Sequence, residues 1–144
     1  TITGNYSTNL YTIQYLQPLD QSDATTYHEN TGKNGRVIPV KVLIFKNGTA
    51  ISDASTVVIR VVGAACTGGT GAAPIEEYAD AGFSNGNTNL FRWSSPHWIY
   101  NLDTRAVGMA NSNCYRLDVY LNAYTGPTAI KASTAKWAIF KPVK

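Results

Sequence analysis

The pattern in this chain that most resembles a catalytic motif is GxSxG, which Gly82 to Gly86 spell around Ser84. In hydrolases this pattern holds a nucleophilic serine on a strained turn between a strand and a helix. Here residues 85–89 (NGNTN) favour another turn instead of a helix. A hydrolase triad of this type also needs an acid between the serine and its histidine, and neither Asp nor Glu lies between Ser84 and His97. We therefore predict no catalysis at Ser84 and no catalytic residues elsewhere.

The residue types that bind metals are present without a metal-binding spacing. His28 and His97 are the only histidines, and neither has a second ligand at a motif distance. Glu76, Glu77 and Asp80 offer the oxygen donors that Ca²⁺ takes, but the alternating acidic register of a calcium loop is missing. We expect ordinary polar histidines, a solvated acidic turn, no bound metal and no cofactor.

Four aromatic residues form the strongest candidate for a ligand site. Phe91 and Trp93 share one face of a predicted strand, and Trp98 and Tyr100 share one face of the next. Aromatic rings on a flat strip can stack on the C–H faces of sugars, whereas rings inside a sandwich supply buried area to its core. We favour the core and retain a glycan platform, with Trp93 and Trp98 as its main residues, as the alternative.

Composition points to a secreted β protein. The chain has 144 residues, enough for one domain with its own core, and only 15% of them are charged. Intracellular domains carry roughly 25% charged residues. Twelve Lys and Arg against nine Asp and Glu leave a net charge of +3 without a basic run, so we expect no nucleic-acid partner. No stretch approaches the length of a transmembrane helix, so we expect no membrane insertion. Because the chain begins at Thr1 without a signal-like segment, we expect a processed or excised module.

Cys66 and Cys114 are the only cysteines, and each lies beside a predicted strand, away from any CxxC pair. With a secreted type of composition, we favour a disulfide between them over two buried free thiols.

Short stretches rich in Val, Ile, Tyr and Thr are separated by Gly, Asn, Pro and Ser clusters, which predicts strands throughout. In 114–122 (CYRLDVYLN) apolar and polar residues alternate, so we expect one buried and one wet face. Asn47-Gly48 is a favoured hairpin-turn pair, and Pro39 requires its N–H side to lie at an edge or a bulge. The predicted strands are 10–17, 36–46, 56–62, 89–93, 98–102, 114–122 and 136–143.

Some segments do not fit a strand pattern. Residues 21–35 have only Ala24 and Tyr27 to bury, so we predict a loop or a tether. Residues 63–73 are rich in Gly and Ala, which predicts a mobile or irregular loop. Residues 1–30 are a candidate extra strand, a linker, or an arm that pairs with the sheet of a neighbour. No composition shift marks a second domain, so we expect a single antiparallel sandwich over residues 1–144.

Three segments resemble the bacterial PxKF domain. Residues 35–42 (GRVIPVKV) are similar to its G-x-x-x-P-V-K-F strand, although Val42 stands where that family has Phe. Residues 98–104 (WIYNLDT) resemble its aromatic strand, with Leu102 in place of the usual Trp, and residues 113–119 (NCYRLDV) resemble its C-Y-x-L-x-V strand. Residues 138–141 (AIFK) are similar to the closing strand, so the resemblance covers roughly residues 30–141.

The resemblance implies an immunoglobulin-like accessory module of a larger secreted or surface protein, with no catalytic residues. It also implies a pairing of the Cys before the Tyr-x-Leu strand with a Cys in the loop after the second long strand, in agreement with Cys66 and Cys114. Together with the strand pattern, it predicts an all-β, immunoglobulin-like antiparallel β-sandwich of about seven to nine strands.

We therefore expect a non-catalytic, disulfide-bonded module on the cell surface or outside the cell, serving as a spacer, adhesion or assembly domain. One alternative is a carbohydrate-binding module with an aromatic platform, whose partner is a polysaccharide. Another is a self-assembling fibre or surface-layer subunit in which residues 1–16 complement a neighbour's sheet. Neighbouring protein domains are the expected partners in the first and third cases.

Overall fold

The fold is known from a computed structural model, which describes residues 10–52, 56–66, 90–122 and 130–144. These residues form strands and turns, with no helix among them. The eleven strands are β1 Tyr11–Leu16, β2 Gln21–Asp23, β3 Glu29–Lys33, β4 Val37–Lys46, β5 Thr49–Ala50, β6 Val57–Ala64, β7 Arg92–Ser94, β8 His97–Asp103, β9 Cys114–Leu121, β10 Ile130–Lys131 and β11 Lys136–Val143. The strands β2, β3, β5 and β10 were not predicted, and they bring the number above the predicted seven to nine.

Two sheets face each other. The first has the order β1-β4-β8-β7, and β5 pairs with the last residues of β4. In the second, β9 has β6 on one side and both β11 and β10 on the other, while β2 and β3 lie along the outer side of β11. The pairing of β3 with β11 is the only parallel one among the described strands.

This order is that of an immunoglobulin sandwich. There, the first, second, fifth and fourth strands form one sheet, and the third, sixth and seventh form the other. When β2, β3, β5 and β10 are set aside, the remaining seven strands follow this rule, as β1-β4-β8-β7 and β6-β9-β11. The predicted fold class is confirmed.

The core forms between the inner faces of the two sheets. In β4, every second side chain is almost completely buried, because alternate residues of a strand point to opposite faces. Each such Val or Ile contributes roughly 1.5–3 kcal/mol by leaving water. The innermost side chains are Ile38, Val40, Val42, Ile44, Val57, Leu102, Leu117, Val119, Ala138 and Phe140.

The predicted hairpin turn follows β4. Asn47 has φ of 52° and Gly48 has φ of 86°, so both central residues lie in the left-handed region that this turn needs. Asn47 also makes two hydrogen bonds with Leu10, the first described residue. Its N–H donates to the Leu10 carbonyl over 2.8 Å, and its Oδ1 accepts the Leu10 N–H over 2.9 Å.

The prediction of a loop over residues 21–35 is wrong, because β2 and β3 lie there. Their buried side chains are polar and fully hydrogen-bonded, so they lack the apolar pattern of a strand. Asn30 is completely buried, donates to the carbonyls of Asp20 and Ile139, and accepts the Asp20 N–H over 2.8 Å. The hydroxyl of Ser22, also completely buried, accepts the His28 N–H over 2.8 Å.

Asp23 ends β2 with a turn, because its Oδ1 accepts the N–H groups of Thr25 and Thr26. Hydrogen bonds from the backbone and side chain of Thr25 hold the pKa of Asp23 below its ordinary value.

The loop predicted over residues 63–73 is also partly wrong. Gly63 and Ala64 continue β6, where they pair with Tyr115 and Cys114. Residues 67–73 lie outside the described part of the chain.

Pro39 lies where its missing N–H is tolerated. It is opposite Asn101 of β8, and the pairing of β4 with β1 ends at Lys41, before Pro39 is reached. Pro39 is therefore paired on one side only within the described sheet, as expected for a residue that cannot donate.

The described part of the N-terminal segment belongs to this domain. Residues 11–16 form β1, which pairs over six positions with β4, and Ile13 and Tyr15 are buried in the core. A strand that complements a neighbour would therefore have to come from residues 1–9, which lie outside the described residues.

The turn gives a first prediction. We expect Gly48→Ala to lower the free energy of unfolding by about 1–2 kcal/mol, because a side chain disfavours a positive φ. Gly63→Ala is the matched control: Gly63 does not have a positive φ, and an added Cβ meets nothing within 4 Å. Urea unfolding measures both variants, and equal loss of stability in both would contradict the turn geometry.

Candidate functional site

The predicted aromatic group is brought together by the β7–β8 hairpin. Its turn, around Ser95 and Pro96, places Trp93 directly opposite Trp98, with the ring centroids 5.4 Å apart and the rings edge to face. Phe91 and Tyr100 form a second pair, with centroids 5.6 Å apart.

Three of these four rings are part of the core. Phe91, Trp98 and Tyr100 are at most 8% exposed, and the Trp98 Nε1–H donates to the Ile51 carbonyl over 3.2 Å. Burial, followed by the charge of Asp103, raises the pKa of Tyr100. Only Trp93, which is 39% exposed, presents an accessible ring. A glycan platform built on these residues would therefore depend on Trp93, at the outer strand of the first sheet.

The predicted disulfide is formed at one end of the second sheet. It joins Cys66, just after β6, to Cys114, the first residue of β9, with Cα atoms 5.4 Å apart. Next to it, the Tyr115 hydroxyl accepts the Ala110 N–H over 2.8 Å. β9 is the sixth of the seven strands that follow the immunoglobulin order. A tyrosine near the start of that strand whose hydroxyl is hydrogen-bonded to the backbone just upstream is a recurrent feature of immunoglobulin sandwiches.

The same end holds the only cluster of potential metal-ligating residues among the described residues. The Glu29 carboxylate lies within 4.8 Å of the sulfur atoms of Cys66 and Cys114. The two sulfurs are bonded to each other, and neither is a thiolate that could bind a metal in this state. Glu29 itself lies 3.8 Å from Lys141 and accepts a hydrogen bond from the Tyr27 hydroxyl.

Neither histidine belongs to this cluster, although His28 directly precedes Glu29 in the chain. The His28 Nδ1 is 2.9 Å from the Gln21 carbonyl, in the connection between β2 and β3. His97 begins β8, and partial burial together with the nearby charge of Lys41 lowers its pKa.

Several segments with predictions attached to them lie outside the described residues. They are the GxSxG segment with Ser84, the acidic residues Glu76, Glu77 and Asp80, and most of the Gly-rich segment after Cys66. Those predictions stay predictions.

The expectation that the outer face of β9 is wet is wrong at its centre. Asp118 points away from the core, yet it is only 3% exposed. Its Oδ1 accepts a hydrogen bond from the Arg116 Nε over 2.7 Å, and its Oδ2 is 3.4 Å from the Lys131 Nζ. The Ser133 hydroxyl donates to the same carboxylate over 3.4 Å.

This network continues through the sheet to the core. The Ser133 hydroxyl accepts the Val119 N–H, and the buried Tyr15 hydroxyl donates to the Leu117 carbonyl over 2.7 Å. Burial is the main cause that raises the pKa of Tyr15, and the charge of Asp118 adds to it.

Sequence reasoning missed this network, although a signal for it exists. Arg116 and Asp118 occupy alternate positions on one face of a strand, and side chains two residues apart on a strand are neighbours. A basic and an acidic residue at such positions indicate an ion pair on one face of the sheet.

No protein-family model matches the chain, and no curated protein and no solved structure matches it either. The similarity to the PxKF domain therefore stays a prediction. In the described part of the chain, no helix has the length and apolar character needed to cross a membrane.

Removal of the buried charge gives a second prediction. We expect Asp118→Asn to lower the free energy of unfolding by about 1–3 kcal/mol, because Arg116 and Lys131 lose their shared counter-charge. Asp20→Asn is the matched control: its carboxylate accepts one exposed hydrogen bond from Gln17, so its effect should stay below about 0.5 kcal/mol. Urea denaturation compares the two variants, and equal effects would show that the network contributes nothing specific.

The buried tyrosine gives a pH prediction. Above pH 10, the ordinary pKa of tyrosine, the unfolded chain releases the Tyr15 proton while the folded chain retains it. Stability should therefore fall as the pH rises above about 10. Tyr15→Phe should cost about 1 kcal/mol at pH 7, since the Leu117 carbonyl loses its donor, but should lose less stability between pH 8 and pH 11 than the wild type. Parallel alkaline curves for the two proteins would contradict this account.

Proposed function

We propose that this protein is a non-catalytic, immunoglobulin-like module of a larger secreted or cell-surface protein, acting as a load-bearing spacer that holds neighbouring domains apart. One observation carries the proposal: the described chain enters the sandwich at one end and leaves it at the other, through strands that lie lengthwise in the sheets.

The two ends are separated by the full length of β4. Leu10 is bonded to Asn47, which directly follows β4. At the opposite end, the Asn34 N–H, just before β4, donates to the Val143 carbonyl over 2.8 Å. A ten-residue strand such as β4 is about 30 Å long. Domains attached at the two ends would thus be held about that far apart.

When the two ends are pulled apart along the long axis, both terminal strands are loaded in shear. A pull on Leu10 along the long axis slides β1 against β4, which loads six residue pairs together. A pull on Lys144 slides β11 against its parallel partner β3, which loads the five pairs from Glu29–Ile139 to Lys33–Val143. Hydrogen bonds loaded together in shear must break together, whereas a strand peeled from one end loses them one at a time.

The disulfide supports the proposed location outside the cell, since disulfides persist in oxidising compartments. It closes a loop with a sequence separation of 48 residues, for which the chain-entropy model gives about 4 kcal/mol of stabilisation. A surface module benefits from this, because no cellular machinery refolds it there.

The ionisable groups of the described strands support a structural role. The carboxylates of Asp118 and Glu29 are each engaged by basic side chains, and Glu29 faces two sulfurs bonded to each other. These ion pairs link neighbouring strands of the second sheet, as expected for groups that stabilise a fold.

Single-molecule force spectroscopy tests the proposal. The folded chain is pulled between its two termini, and then between its N-terminus and a chemical handle at position 49, where Thr49 is exposed and does not have a positive φ. In the second geometry, force opens the β1–β4 pairs one at a time from Tyr11 and Lys46. We expect the end-to-end unfolding force to be at least about twice the force for opening from position 49.

The disulfide provides an internal control. With the bond intact, the 48-residue separation cannot extend, so unfolding should release about 170 Å less chain than after reduction. An end-to-end force equal to or below that of the second geometry would contradict a load-bearing spacer.

A further inference from the structure

The sequence Lys-Asn-Gly occurs twice in the described part of the chain, at residues 33–35 and 46–48. An asparagine before glycine can react with its own chain, because glycine has no side chain to keep its peptide nitrogen away from the asparagine side-chain carbon. We propose that Asn47 is a site of spontaneous deamidation, whereas the fold protects Asn34. The modification converts Asn47 to aspartate or isoaspartate in the turn to which the start of β1 is attached.

The reaction needs water and no other reactant. The Gly48 nitrogen gives its proton to the solvent and forms a bond to the Asn47 Cγ, which makes a tetrahedral intermediate with a negative oxygen at Oδ1. The Cγ–Nδ2 bond then breaks, and Nδ2 takes up a proton and leaves as ammonia, so a five-membered imide ring remains. Water opens the ring by breaking one of its two bonds between carbonyl carbon and nitrogen. The products are aspartate, or isoaspartate, in which the backbone runs through Cγ.

The nitrogen that attacks and the nitrogen that leaves are both accessible at this turn. Asn47 and Gly48 are exposed, and a Cβ built on Gly48 would meet nothing within 4 Å. Within the described ranges, neither the Gly48 N–H nor the Asn47 Nδ2 donates a hydrogen bond. No hydrogen bond of these two nitrogens therefore has to break before the ring closes.

The backbone of Leu10 assists at the oxygen. Its N–H donates to the Asn47 Oδ1 over 2.9 Å. Oδ1 is the atom that becomes negative in the tetrahedral intermediate, and an N–H group already directed at it stabilises that charge. The contact that attaches the start of β1 to the turn therefore also favours the modification of the turn.

The fold holds the corresponding atoms of Asn34. Its Nδ2 donates to the Met109 carbonyl over 2.9 Å and to the Asn111 Oδ1 over 2.8 Å. The Gly35 N–H donates to the Thr104 Oγ1 over 2.8 Å and to the Asn34 Oδ1 over 2.9 Å. Because this N–H points at the side-chain oxygen, the lone pair of its nitrogen does not face the side-chain carbon. Reaction at Asn34 therefore requires local opening of the fold.

The two products differ in their effect on β1. Aspartate keeps a side-chain oxygen that can accept the Leu10 N–H. Isoaspartate adds one atom to the backbone of a two-residue turn, whose length sets the pairing of Lys46 with Thr49. We expect isoaspartate to break both hydrogen bonds between Asn47 and Leu10, and to loosen the adjacent pair of Tyr11 with Lys46.

Peptide mapping by mass spectrometry tests the proposal. The intact protein is incubated at mildly alkaline pH, either folded or unfolded in urea, and is then digested with pepsin in acid, where deamidation is slow. Conversion is measured at each asparagine separately, so that Asn85, which precedes Gly86 outside the described residues, does not interfere. In the folded protein, we expect Asn47 to convert at least about tenfold faster than Asn34, because Asn34 must first lose its hydrogen bonds.

The unfolded protein is the matched control. In urea the two sites keep only their common Lys-Asn-Gly sequence, so their rates should agree within about twofold. Equal rates at Asn34 and Asn47 in the folded protein, or no conversion of Asn47 there, would overturn the proposal. A tenfold difference that persists in urea would also overturn it, because the fold would then not be its cause.

Hydrogen exchange tests the effect on β1. The isoaspartate form is separated by ion exchange and compared with freshly prepared Asn47→Asp, which has the same charge and an unaltered backbone. We expect the amides of residues 10 and 47 to exchange at least about tenfold faster in the isoaspartate form than in Asn47→Asp. Equal exchange in the two proteins would overturn the predicted release of β1. These outcomes do not depend on the unfolding force of the unmodified protein, so the spacer function and the modification can fail separately.

Discussion

The row of side chains that β4 points into the core is the constraint on which the rest of the molecule depends. Ile38, Val40, Val42 and Ile44 are all at most 1% exposed, and they pack where β9 and β11 present Leu117, Val119 and Phe140. Because side chains alternate along a strand, a shift of β4 by one residue would turn this whole row towards the solvent. The register of β4 therefore sets the registers of β1 and β8, and with them the positions of both ends of the domain.

Strands with a periodic apolar pattern, and turns that need particular residue types, could be predicted from the sequence. Alternation identified β9, and short apolar stretches identified β4 and β11, all nearly to the residue. Asn47-Gly48 identified the hairpin because only a few residue types accept positive φ at both positions. The same reasoning failed for β2 and β3. There, Asn30 occupies a buried strand position through three hydrogen bonds, and its partners are set by chain segments that only the folded state brings together.

In the candidate site, too, local contacts could be predicted from the sequence and contacts between distant strands could not. Sequence reasoning grouped Phe91, Trp93, Trp98 and Tyr100 correctly as neighbours, since hairpin pairing is local. It favoured the core, which holds three of these rings but leaves Trp93 exposed. Trp137, by contrast, was not singled out, because its neighbour Arg116 belongs to a different strand. Contacts between distant strands depend on sheet order, which no local pattern contains. Asp118 was assigned to the wet face for a related reason: its burial comes from the side chains that cover it.

The covalent link between Cys66 and Cys114 also determines what a proteolytic cut does to the chain. Any single cut of the backbone between these two residues leaves the fragments joined, because the break lies inside the loop that the disulfide closes. The two cut ends remain attached to β6 and β9, which stay paired over eight positions. The chain would thus stay covalently connected from β1 to β11 after such a cleavage, even where the peptide backbone is no longer continuous.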